Sequence, residues 1–112
     1  MIAKIVADTG VKPEVARKAA IVILKFLRSD GPADKVEALI AALPGATEAI
    51  TASGAGGSSG LMGAFNDLTG AGVGMFKVKS VVESFADYAR GKVGAETIDE
   101  IVASIPGLSQ FA

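Results

Sequence analysis

Two stretches decide how this chain folds: VEALIAALPG at residues 36–45 and IDEIVASIPG at residues 98–107, which begins 62 residues further on. In the first, Val36, Leu39, Ile40 and Leu43 recur at the spacing that lines one face of an α-helix, and Ile98, Ile101, Val102 and Ile105 do the same in the second. Each run ends at a proline followed by a glycine, Pro44 and Gly45 or Pro106 and Gly107. Proline lacks the amide that another turn would need, and glycine accepts the backbone angles of a helix stop. The same amphipathic helix with the same stop, twice in one chain, points to a repeated unit.

The repeat extends outward in the same frame, without a gap. Gly10 and Val11 return as Gly72 and Val73, Arg28 as Arg90, Ala33 as Ala95 and Ala41 as Ala103; Val6 answers Leu68, Phe26 answers Tyr88, Asp34 answers Glu96 and Glu37 answers Asp99. Matches fall on core-facing and helix-stopping positions. We therefore expect an all-α domain of about six helices in two three-helix repeats related by an approximate twofold axis. Repeat one covers residues 1–50, a Gly/Ser-rich linker 51–60, and repeat two 61–112. Ile2, Ile5 and Val6 share a face of a first helix that stops at Gly10. Pro13 and Glu14 open a long second helix, which Gly31 and Pro32 end. The third runs from Asp34 to Leu43. Ser59 is placed to cap a fourth helix with Leu61, Phe65 and Leu68 on one side, stopped by Gly70, Gly72 and Gly74. The fifth carries Val78, Val81, Val82, Phe85 and Ala89 on one face, and the sixth is the second Pro-Gly helix. Period-two alternation, the mark of a half-buried strand, is absent.

Composition bounds the function. At 112 residues the chain is one domain, long enough to bury on the order of 60 to 70% of its unfolded surface. It has no cysteine and no histidine, so it has neither disulfides nor the commonest general base and neutral metal ligand. Net charge is −1, which does not suggest a nucleic-acid partner. The densest apolar run, Ala19 to Leu27, is broken by Lys25 and falls short of the roughly 20 residues of a transmembrane segment. Residues 1–9 lack the layout of a secretory signal, so the expected location is cytoplasmic.

Candidate chemistry is sparse. Glu96, Asp99 and Glu100 lie on one helical surface, but carboxylates early in a helix complement its dipole. The glycines from Gly54 to Gly63 match neither the dinucleotide pattern nor a P-loop. We assign no catalytic residue, no cofactor and no metal, and read the chain as a non-enzyme.

The halves differ more informatively than they agree. The fifth helix has a clean polar face of Lys79, Glu83, Asp87 and Arg90. The second places Ile21 and Leu24 among Arg17, Lys18, Lys25 and Arg28, with Ile21 standing where the other half has Glu83. This is the candidate interface, for self-association or for a partner protein, with an apolar centre in a basic stripe suited to an acidic partner or anionic lipid. Phe76 stands where the first half has Glu14, and is expected to pack at the start of the fifth helix as a hydrophobic staple. An alternative site is a small apolar ligand pocket between the repeats near Phe76, Phe85 and Tyr88. Leu108 and Phe111 are expected to fold back on the core.

The two Pro-Gly helices flanking a glycine-rich centre, and above all the run from Tyr88 through Arg90, Gly91 and Gly94 to Ile105, Pro106, Gly107 and Phe111, resemble small bacterial proteins of domain-of-unknown-function families. The resemblance implies a bacterial, all-helical domain and carries over no activity, ligand or catalytic residue. The expected function is a non-enzymatic helical interaction or scaffold module, with a homodimer among its expected forms.

Overall fold

The computed structural model describes residues 2–43, 45–52 and 60–105, and among these every regular element is helical. The first is α1 (Ile2–Thr9). Gly10 ends it at φ +74, a conformation glycine adopts without strain, and its amide donates to the Val6 carbonyl at 2.8 Å. The long α2 (Pro13–Asp30) starts on proline, with Glu14 in its first turn and Arg28 in its last. Next come α3 (Ala33–Ala42), α4 (Ala46–Ala52) and α5 (Gly60–Gly70). A single 3-10 turn (Met75–Lys77) leads into α6 (Val78–Val93), and α7 (Ala95–Ser104) follows.

The two Pro-Gly helices end alike. Leu43 leaves α3 at φ −101, ψ 114 and Ile105 leaves α7 at φ −110, ψ 113; their amides reach the carbonyls of Ile40 and Val102, each at 3.2 Å. They also begin alike, with Val36 donating to Pro32 at 3.0 Å and Ile98 to Gly94 at 3.4 Å. Arg28 pairs with Glu37 at 3.2 Å and Arg90 with Asp99 at 3.4 Å, tying each long helix to the helix after it.

At the centre lie α2 and α6, whose inward faces are buried from Ala16 to Leu27 and from Val78 to Ala89. The flanking helices cross over: α1 lies most extensively against α6, and α5 against α2. Ile5, Val36, Leu39, Val73, Val81 and Ile101 are the large side chains almost wholly removed from solvent. One polar link joins α1 to α6. The buried Ser84 hydroxyl donates to Asp8 Oδ2 at 2.9 Å, and Lys4 Nζ reaches the same oxygen at 2.9 Å.

The seven described α-helices are close to the expected six, residues 46–52 forming a separate helix whose Ala46 and Ile50 pack inward. Two expectations are corrected. Helix enters both ends of the expected linker, with Thr51 and Ala52 in α4 and Gly60 in α5. Phe76 is 99% exposed and clamps nothing. Val73 and Val78, each 2% exposed, already fill the core on either side of the 3-10 turn, which leaves Phe76 off the buried face. Residues 53–59, Pro44 and 106–112 lie outside the described residues, and with them the Ser59 cap, the Pro stops and the packing of Leu108 and Phe111.

Candidate functional site

The exposed arc of α2 is where the halves differ, and the structure covers half of it. Because α4 packs on α2 and α3, and the start of α1 approaches from the other side, Leu24 is 3% exposed and belongs to the core. This corrects its place on the outer surface: a helical wheel of α2 alone cannot include the helix that lands on it. Ile21 is half-buried, between Leu24 and the solvent. Arg17 and Lys18 are exposed, Lys25 is half-buried, and Arg28 is engaged with Glu37.

Around Ile21 the packing is incomplete, and a groove of about 490 Å³ remains. Its floor is Ala20, Ile21 and Leu24 of α2; one wall is Ile2 and Ala3 of α1, and the other is Leu43, Gly45, Ala46 and Ala49. Arg17 stands on the rim, and no ion pair of Arg17 occurs among the described residues. Tyr88 of α6 reaches the groove as well, with Lys92 Nζ 5.4 Å from its ring centroid, within the range of a cation–π contact. The groove thus offers a largely apolar slot with the Arg17 cation and the Tyr88 ring along its lining.

The residues expected to form a ligand pocket are separated. Phe85 lines a cavity of about 50 Å³ inside the bundle, with Phe26, Leu27 and Leu39 from the first half and Phe65, Val82 and Ile101 from the second. Tyr88 lines the groove instead, and Phe76 lines neither. A cavity of this size and apolar lining is a packing defect, too small for a drug-sized ligand. Tyr88, three residues after Phe85 on α6, joins Arg17, Ile21 and Leu24 in one site. That link between the two candidate sets crosses from α6 to α2, so no local spacing announces it.

The linings of the two cavities overlap in part at the 62-residue sequence offset. Ala64, Phe65, Val82 and Ala86 of the inner cavity stand 62 residues beyond Ile2, Ala3, Ala20 and Leu24 of the groove, and Phe26 stands 62 residues before Tyr88. The side chains at these positions change in both directions: Ala3 and Ala20 stand against the larger Phe65 and Val82, but Ile2 and Leu24 against the smaller Ala64 and Ala86.

The other polar clusters are structural. Lys4, as hydrogen-bond donor, and the Ser84 hydroxyl hold the Asp8 carboxyl below its ordinary value of 3.8, and the same bond to Asp8 raises Lys4 above 10.5. A carboxylate held ionised is a weak base, and Ser84 is only 2% exposed, so the cluster pins α1 to α6 rather than arming a nucleophile. Asp99 is drawn to Arg90 and Glu100 to Lys35, which separates them from Glu96. No group of three or more carboxylates placed to hold a metal ion occurs among the described residues. No helix among them is long and apolar enough to cross a membrane. No family model, curated protein or solved structure matches the chain.

Proposed function

We propose that this protein is a non-enzymatic binding module whose groove beside Ile21 receives a short amphipathic segment carrying acidic side chains, from a partner protein or from a second copy of the chain. One observation carries the reading: an apolar slot of about 490 Å³ is rimmed by Arg17, which has no ion pair among the described residues. Filling the slot would remove the remaining exposed part of Ile21 from water, and an acidic group would meet Arg17 in a partly desolvated setting. The polar clusters elsewhere are each satisfied by a partner within the fold, which supports binding over catalysis.

The repeat gives the asymmetry its meaning. We read the chain as two copies of one three-helix unit, supported by the matched ion pairs, the matched helix ends and the partly overlapping cavity linings. In that reading the asymmetry lies on the surface of α2, where Ile21 stands in the place of Glu83. Small-molecule binding is the second reading, favoured by a groove volume inside the usual range of about 300 to 1,000 Å³ for ligand pockets.

Selection of displayed peptides on the immobilised protein tests the first reading. Acidic, amphipathic peptides should be enriched, and Ile21→Glu or Arg17→Glu should abolish their binding while leaving the melting temperature within a few degrees. Undiminished binding to Ile21→Glu would remove the groove from the proposal. Light scattering on the 11.2 kDa chain separates the two kinds of partner: a dimer that Ile21→Glu dissociates makes the second copy the occupant.

A further inference from the structure

The opposite feature, an apolar projection, lies at the start of α6. Phe76 is 99% exposed and its neighbour Met75 68%, on a single 3-10 turn. We propose that this turn docks the protein peripherally on a lipid surface bearing anionic headgroups, with Met75 and Phe76 entering the acyl boundary and the lysines around them meeting the headgroups.

The fold does not call for two large apolar side chains here. The equivalent positions in the first half are Pro13 and Glu14, both exposed, and burial in α6 begins only at Val78, as it begins in α2 at Ala16. The turn is held firmly. Lys77 donates its amide to Gly74 at 2.8 Å and its Nζ to the Thr9 carbonyl at 2.9 Å. Gly72, at φ +110, lies so close to Val15 that a Cβ there would stand 3.1 Å from Cγ2. The projecting pair is therefore presented on a rigid base rather than on a loose loop.

Charge identifies the occupant. Lys77 and Lys79 flank the pair, and Lys12 lies at the same end of the bundle, just past Gly10, whose Cβ would approach Lys77 Nζ to 3.6 Å. Facing them are Glu14 and Glu83, the latter 3.8 Å from Lys79. The groove of a second copy is a poor receptor for this projection, since Arg17 would meet Lys77 and Lys79. Two side chains are also far less than the roughly 1,000 Å² that a stable protein interface buries. Apolar insertion combined with a few basic contacts is instead the pair of weak signals by which proteins hold to an anionic membrane surface.

Co-sedimentation with vesicles tests this directly. The wild-type chain should sediment with vesicles of equal parts phosphatidylcholine and phosphatidylserine, should remain in solution with phosphatidylcholine alone, and should be released by added salt. Phe76→Ser, which removes a side chain that packs on nothing, should melt as wild type and bind about tenfold more weakly. The chain has no tryptophan, so the indole of Phe76→Trp is a unique reporter whose emission should shift to the blue on the mixed vesicles. Absence of wild-type binding, or equal binding by Phe76→Ser, overturns the proposal. So does a dimer in light scattering that Phe76→Ser dissociates in the absence of vesicle binding, which would make the turn a contact between copies.

Discussion

Asp8 and Ser84 sit 76 residues apart, yet they form the polar joint between α1 and α6. Because the Asp8 pKa is depressed on folding, its contribution is present above the ordinary carboxylate value of 3.8 and is lost as pH falls through the lower folded value. The raised pKa of Lys4 contributes throughout the neutral range and is lost only above 10.5. The melting-temperature difference between wild type and Asp8→Asn should thus be largest near neutrality and shrink below about pH 4. A difference that does not change with pH would show that the joint works by packing alone. Glycines separate by the same logic of surroundings. Gly72 and Gly45 both have positive φ, but a Cβ at Gly72 meets Val15 and one at Gly45 meets nothing within 4 Å. Gly45→Ala should cost about 1 to 2 kcal/mol, the left-handed penalty alone, and Gly72→Ala more, as read by urea denaturation.

Among the elements, the Pro-Gly helices were legible in advance because their apolar spacing and their stops are both local. Val36, Leu39, Ile98 and Ile101 are buried as the period required, and Leu43 and Ile105, which follow the last helical residues, leave the two helices in nearly the same extended backbone conformation. Leu39 and Ile101 are 0% and 1% exposed, so Leu39→Ala and Ile101→Ala should each cost about 2 to 5 kcal/mol in chemical denaturation. A cost below 1 kcal/mol at either would mean that its helix is not part of the cooperative core. The element that local reading missed is α4: residues 46–52 are rich in alanine and threonine and too short for a clear period, and they become a helix that covers Leu24 only by packing on α2 and α3.

For the molecule as a whole, the sequence by itself determined the helical class and where most of the described helices end, because hydrophobic period and backbone stops act within a few residues. It also shows Ile21 at the place where the second half has Glu83. Tertiary structure alone decided what that difference produces. It buried Leu24, brought Tyr88 beside Ile21, set Phe85 inside the bundle and left Phe76 in solvent, because burial depends on which helix lands on which face. The long helices α2 and α6 receive those neighbours in a crossed pattern, with α1 chiefly on α6 and α5 chiefly on α2, and contacts of that range leave no spacing in the chain to read.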